Sequence, residues 1–123
     1  MSLFFSGRSI TWGDELYDRM NERFSTLVSN HYGSQHLNMS NCGVSNDYIV
    51  RNAIKYLQKN KPDVAVMQFT VIHRIEYYNY DKEIAQWTPQ NIKTRKQKDY
   101  YISTYNDVLG VENLWKNVFL FDS

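Results

Sequence analysis

The chain has 123 residues, the size of one domain with a modest hydrophobic core. Its 14 Lys and Arg residues nearly balance its 13 Asp and Glu residues, so bulk charge gives no reason to expect a nucleic acid or an anionic membrane as partner. A single cysteine, Cys42, excludes an intrachain disulfide, and no apolar run approaches the ~20 residues of a membrane helix. Leu3 to Phe5 is too short for a signal-peptide core, so we expect a cytoplasmic protein.

Strand and helix patterns alternate along the first half of the chain. Leu3 to Phe5 predicts a buried strand, Gln35 to Asn38 a second strand, and Val64 to Met67 a third strand that is covered on both faces. Between the first two strands, residues 14–28 predict one helix with this apolar face: Leu16, Met20, Phe24, Leu27 and Val28. A second helix, capped by Ser45 or Asn46 and ending near Gln58, has this face: Ile49, Val50, Ala53, Ile54 and Leu57.

The second half of the chain has a different character. Val71 to Pro89 is an aromatic-rich connection without a clear period, and Asn91 to Leu109 predicts a helix. Gly110 predicts a break or kink, and a last amphipathic stripe follows: Val111, Leu114, Trp115, Val118 and Phe119. The order of elements predicts an α/β domain with a small parallel sheet flanked by helices.

A glycine-flanked serine follows the first strand, in Gly7-Arg8-Ser9-Ile10-Thr11-Trp12-Gly13. A serine on a turn between a strand and a helix can attack an electrophile, and free backbone N–H groups there can hold an oxyanion. A turn or N-cap serine is the structural alternative for Ser9. A second loop of small polar residues, Asn38 to Asp47, follows the second strand.

Together the two loops resemble the SGNH, or GDSL-type, hydrolases, most closely the SGNH-like proteins of marine tailed phages. The resemblance covers roughly residues 3–78, and it implies a flavodoxin-like strand order. It implies that Ser9 is the nucleophile and that the N–H of Gly43 enters the oxyanion hole. Arg8 departs from the family, which usually has Asp or Cys there; its guanidinium can stabilise an anion near Ser9 or point to solvent.

Other candidate site residues follow from the same resemblance. In the third family block an asparagine completes the oxyanion hole; here Thr70 takes its place, and Gln68, two residues earlier, is the other possible donor. Asn38 and Ser40 fit the polar start of the second block, whereas Asn46 is more typical of a helix cap. Arg74 and Glu76 resemble an Arg-x-Glu pair of the phage proteins; an exposed ion pair in a loop is the alternative.

The family's general base is the histidine of a C-terminal Asp-x-x-His block, which this chain lacks. We therefore expect a C-terminally truncated or shortened SGNH domain spanning residues 1–123, with its motifs in 3–78 and a helical part in 89–121. The histidines are His31, His36 and His73. His73 follows the third strand and could replace the missing base, with Glu76 orienting it; a surface histidine is the alternative, and His36 is structural.

Two function classes remain open from the sequence. The first is an SGNH-type serine hydrolase, or a piece of one, acting on a small-molecule or carbohydrate ester such as an O-acetyl group. The second is an inactive binding or assembly module that keeps the fold and pocket. A weaker third reading is a nucleic-acid-associated protein that uses Lys93 to Lys98 with Tyr100 and Tyr101, although this run also fits a solvated helix face.

No cofactor is implied, and the histidine spacing matches no metal site. The chain's end after Ser123 leaves the edge of the third strand without its usual neighbours, so the C-terminal helices or a second copy of the chain are expected to cover it. If the chain is phage-encoded, its compartment is the host cytoplasm.

Overall fold

The computed structural model describes residues 1–78, 84–87 and 92–122. In chain order the elements are β1 (Ser2–Ser6), α1 (Ser9–Trp12), α2 (Arg19–Glu22), α3 (Phe24–Tyr32), β2 (Gln35–Asn38), α4 (Asn46–Leu57), β3 (Val64–Met67), β4 (Ile75–Tyr78), β5 (Ile84–Trp87), α5 (Arg95–Thr104) and α6 (Asp107–Asp122). Among the described residues, no helix is long and apolar enough to cross a membrane.

A three-stranded parallel sheet in the order β2-β1-β3 forms the centre of the domain. Phe4 of β1 stacks on Tyr56 of α4 with ring centroids 4.6 Å apart, whereas Phe5 contacts Phe24 of α3 edge-on at 5.6 Å. Because successive side chains of a strand point to opposite faces, α3 and α4 lie on opposite faces of the sheet. The predicted α/β architecture with a small parallel sheet flanked by helices is thereby confirmed.

The second helical pattern is confirmed in position and in its buried face. Ser45 caps α4, since its hydroxyl accepts a hydrogen bond from the Tyr48 N–H at 3.3 Å, and the helix buries Ile49, Val50 and Ala53. The third strand also lies where predicted, but the expectation that it is covered on both faces is wrong. Val64 is 44% exposed, and β3 pairs only with β1 among the described strands.

The single helix predicted over residues 14–28 is wrong. The chain forms α2 and α3 instead, separated at Arg23, whose backbone is extended. The face of α3 that packs inward is polar: Ser25, Thr26 and Ser29 are buried, whereas Leu27 is 55% exposed. Hydrogen bonds explain this choice, because the Ser25 hydroxyl accepts from Asn38 of β2 at 2.8 Å, and Ser29 donates to the Ser34 carbonyl at the helix end.

An antiparallel hairpin, β4–β5, occupies part of the segment for which the sequence predicted no regular structure. Ile75 pairs with Trp87, and Trp87 is buried. The residues between the strands, 79–83, and residues 88–91, with the predicted helix start at Asn91, lie outside the described residues.

The two C-terminal helices meet at Tyr105–Asn106, so the break predicted at Gly110 is wrong. Gly110 lies inside α6 and is buried, and a Cβ atom there would come within 3.2 Å of the Ile72 Cβ. The predicted apolar stripe does not face the core either, because Phe119 is 66% exposed. Instead α6 packs on α4 through the buried Asn117, which donates a 2.9 Å hydrogen bond to the Asp47 carboxylate.

Candidate functional site

Three loops follow the carboxyl ends of the three parallel strands, and hydrogen bonds join them to one another. We call residues 7–8 the first loop, residues 39–45 the second and residues 68–74 the third. The Asn41 N–H donates to the Gly7 carbonyl at 3.3 Å, which joins the second loop to the first. The Gln68 N–H donates to the Ser6 carbonyl at 2.9 Å, which continues the pairing of β1 with the start of the third loop.

Asn46 joins the start of α4 to the third loop rather than capping the helix. Its Oδ1 accepts from the Thr70 N–H at 2.7 Å, and its Nδ2 donates to the Thr70 carbonyl at 3.1 Å; both residues are buried. The Thr70 hydroxyl oxygen accepts from Arg74 Nη1 at 3.2 Å. The backbone polar groups of Thr70 are thus satisfied within the protein.

Asn38 and Ser40 hold the second loop against the first helix. Asn38 Nδ2 donates to the Thr11 carbonyl and to the Ser25 hydroxyl, both at 2.8 Å. Its Oδ1 accepts from the Ser40 N–H at 3.0 Å and from the Ser40 hydroxyl. Both ends of the Asn38 amide are therefore used for positioning.

Ser9 is the first residue of α1, and its half-buried hydroxyl forms no hydrogen bond within the described part of the chain. Gln68 is oriented by Thr11, whose hydroxyl donates to Gln68 Oε1. The Gln68 Nε2 group has no partner among the described residues, so it remains an open donor. The sequence did not predict the role of Thr11, although Thr11 belongs to the serine motif itself.

Gly7 allows the first loop to approach the third. A Cβ atom on Gly7 would lie 2.5 Å from the Thr11 hydroxyl oxygen and 2.9 Å from the Gln68 Cβ, both far inside contact distance. This steric requirement for Gly7 was also missed, because a strand-to-helix glycine is ordinarily explained by its turn.

Gly43 has left-handed backbone geometry, with φ of 71°, and open space on the side where a Cβ would point. Because a left-handed residue without a side chain exposes its backbone, this geometry suits close approach of a ligand to the Gly43 N–H.

Arg8 and Arg74 are both half-buried, and the Nε atoms of both are buried without a hydrogen-bond acceptor among the described residues. Arg74 Nη1 also donates to the Val44 carbonyl at 3.4 Å, so it holds the second loop as well as the third. Burial lowers the pKa of the Arg74 guanidinium, and the positive charge of Arg8 lowers it further, while Cys42 opposes the shift. Both arginines border the second loop: Arg8 follows Gly7, whose carbonyl accepts from Asn41, and Arg74 donates to Val44.

His73 and Glu76 contact α5 and α4 rather than the serine loop. The His73 carbonyl accepts from the Tyr101 hydroxyl, and its ring forms no hydrogen bond with Ser9 or with any other described residue. Both carboxylate oxygens of Glu76 accept from Arg51 Nη1, at 2.6 and 2.8 Å, so α4 holds this carboxylate.

A cavity of about 550 Å³ lies between the third loop, β4 and the two C-terminal helices. Arg74 and Glu76 line it together with Ile72, Tyr100, Tyr105 and Leu109. Of the candidate residues only Arg74 and Glu76 reach this cavity; Ser9, Gly43, Gln68 and Thr70 do not line it.

The basic run Lys93 to Lys98 lies around the start of α5. Lys93, Lys96 and Lys98 are exposed around the start of α5, but Tyr101 turns inward to the His73 carbonyl. Tyr100 is 38% exposed, and its ring contacts Trp87 edge-on with centroids 5.7 Å apart. Within the described ranges, no group of three or more His, Cys, Asp or Glu side chains is placed to hold a metal ion.

Comparison with known proteins adds no relative: no family model, curated protein or solved structure matches this chain. The function of this chain is therefore inferred from the geometry of its three loops.

Proposed function

We propose that the three loops form an SGNH-type serine ester hydrolase site with Ser9 as the nucleophile. One observation carries the proposal: the loops are hydrogen-bonded to one another at one edge of the sheet, while the Ser9 hydroxyl and the Gln68 Nε2 group have no hydrogen-bond partner among the described residues. The strand order β2-β1-β3 supports it, because it is the order with which a flavodoxin-like sheet begins. Ligands of such sheets bind beyond the strand carboxyl ends.

In the proposed reaction, the Ser9 oxygen attacks the carbonyl carbon of an ester, such as an O-acetyl group on a carbohydrate, and its proton passes to a base. The oxyanion of the tetrahedral intermediate accepts hydrogen bonds from the N–H groups of Ser9 and Gly43. The intermediate then releases the alcohol, which takes the proton, and water hydrolyses the acyl-serine.

Gln68 is a better third oxyanion donor than Thr70. The Thr70 N–H is occupied by Asn46, and the Thr70 side chain is buried against Arg74, which donates to its hydroxyl oxygen. The Gln68 oxygen is held by Thr11, which leaves the amide nitrogen to donate. The loss of one such donor typically lowers the rate ~10²- to 10³-fold.

His73 is the base candidate within this chain. Its ring has no hydrogen-bond partner among the described residues, so a ring nitrogen is available to accept the Ser9 proton. A general base of this kind contributes ~10²- to 10⁴-fold to a rate.

The second candidate function is a binding module that keeps the loop site without turnover. It is favoured by the His73 ring, which forms no hydrogen bond with Ser9 in the described structure. Without a base, a serine hydroxyl is a weak nucleophile at neutral pH.

Labelling with a fluorophosphonate probe, read by intact mass, separates the two functions. We expect one label per chain, complete loss of labelling in Ser9→Ala, and labelling at least ~10²-fold slower in His73→Gln. Ser103→Ala, which removes an exposed hydroxyl on α5, is the matched control and should label like the parent protein. If the folded protein takes no label, or if Ser9→Ala still does, the hydrolase proposal is wrong and the binding module is supported.

A further inference from the structure

Two guanidinium groups in the loop site have no carboxylate to neutralise them. Arg8 belongs to the first loop and Arg74 to the third. Within the part of the chain that the structure describes, the ion pairs are Arg51–Glu76 and Lys116–Asp47, so neither loop arginine has an acidic partner within 4.0 Å. Arg74 contacts only the Val44 carbonyl and the Thr70 hydroxyl, and Arg8 makes no side-chain hydrogen bond at all to the described residues.

This arrangement is costly for a protein without a ligand. A buried guanidinium N–H that has lost water and found no acceptor is destabilising. The positive charge of Arg8 also lowers the pKa of Arg74, after burial, which lowers it most. Burial, and then the negative charge of Asp14, raises the pKa of the Cys42 thiol. Asp14 is itself exposed, and it forms no ion pair with Arg8 or Arg74. Among the described residues, the Nε–H groups of Arg8 and Arg74 therefore have an unfilled place for an acceptor.

We propose that Arg8 and Arg74 form an anion subsite that binds a carboxylate or phosphate group of the ligand. Arginine suits this task, because its planar fork of N–H donors matches the oxygens of both groups. The inference rests on the proposed function only for the position of the site. It adds that the ester bound there carries a negative charge, with its uncharged part free to enter the adjoining cavity beside Tyr105 and Ile72.

The test is an NMR titration of the arginine Nε–H signals at fixed ionic strength, set with sodium chloride. Inorganic phosphate is one titrant and acetate the other, so the two arms distinguish the two anion chemistries. We expect saturable shifts of the Arg8 and Arg74 signals with at least one titrant. The affinity should fall at least tenfold in Arg8→Gln and in Arg74→Gln, and should be unchanged in Arg95→Gln, whose side chain is exposed on α5.

Arg8→Lys keeps the charge but removes the planar fork, so its affinity should lie between those of the parent protein and Arg8→Gln. Shifts that stay linear with both titrants, or equal losses in Arg95→Gln, would overturn the subsite. Fluorophosphonate labelling of the same samples keeps the two proposals apart. Anion binding without Ser9 labelling refutes the hydrolase alone, and labelling without anion binding refutes the subsite alone.

Discussion

The polar groups around the three loops divide into two sets with opposite bonding. The loop framework donates and accepts within the protein; it comprises Asn38, Asn46, Thr70, Arg51 and Glu76. The open groups have donors without acceptors among the described residues; they are Arg8, Ser9, Gln68 and Arg74. The two sets include similar residue types.

Arginine shows the difference most directly. Arg51 bonds to both oxygens of Glu76, whereas Arg74, two residues before that glutamate, has only a carbonyl and a hydroxyl as acceptors. A group paired within the protein stabilises the fold, and a group left unpaired in a partly buried place is available to a ligand. Framework changes should therefore lower stability, and changes of open groups should lower binding.

The largest stability effect is expected at Asn46. Asn46→Ala removes two hydrogen bonds and leaves the buried N–H and carbonyl of Thr70 unpaired, so the free energy of unfolding should fall by about 2–4 kcal/mol. Urea unfolding followed by circular dichroism measures it. Asn30→Ala, at an exposed position of α3, is the control and should change stability by less than about 0.5 kcal/mol. An Asn46 variant as stable as that control would remove Asn46 from the framework.

A matched pair of substitutions compares the two sets directly. Glu76→Gln removes the charge that Arg51 pairs with in a partly exposed ion pair, and should cost about 1–2 kcal/mol of unfolding free energy. Arg8→Gln breaks no side-chain hydrogen bond or ion pair to the described residues and relieves repulsion with Arg74, so it should leave stability within about 0.5 kcal/mol of the parent value, or raise it.

The comparison between framework and open groups fails if these two results are reversed. A double-mutant cycle with Arg51→Met then tells whether the cost of Glu76→Gln comes from this pair, because only a specific pair gives a coupling energy.

The smallest expected effect on the free energy of unfolding is its pH dependence, which comes from His36. His36 lies on β2, edge-on to Phe5 with centroids 6.1 Å apart, and burial, followed by the charge of Arg23, lowers its pKa below the ordinary 6.5. The unfolded chain therefore binds a proton more readily than the folded one. Stability is full above about pH 6.5 and declines as the pH falls below it.

The pH dependence of the unfolding free energy between about pH 7 and 5 measures this contribution. His36→Gln should flatten the decline, whereas His31→Gln, at an exposed position of α3, should leave it unchanged. An unaltered slope in His36→Gln would mean that other groups cause it.

Much of the fold was predictable, because the signals for it are local. The three parallel strands and α4 follow from apolar runs and from a helical period with a serine cap, all of which lie within a few residues of one another. The positions of the serine loop and of the Gly43 loop after their strands follow from the same patterns. The pairing of β4 with β5 was missed, since this aromatic-rich part of the chain has no clear alternation of apolar and polar residues.

The sequence by itself determined which residues form the parallel sheet and which polar loops follow its strands, because periodicity and capping act over one or two turns. Only the tertiary structure decided which face of α3 and α6 is buried, that Asn46 bonds to Thr70, and that the Nε groups of Arg8 and Arg74 are buried without an acceptor among the described residues. Those outcomes depend on contacts between residues far apart in the chain, such as the 24 positions from Asn46 to Thr70. A local pattern predicts an element; the partner of a buried polar group is selected only when distant elements meet.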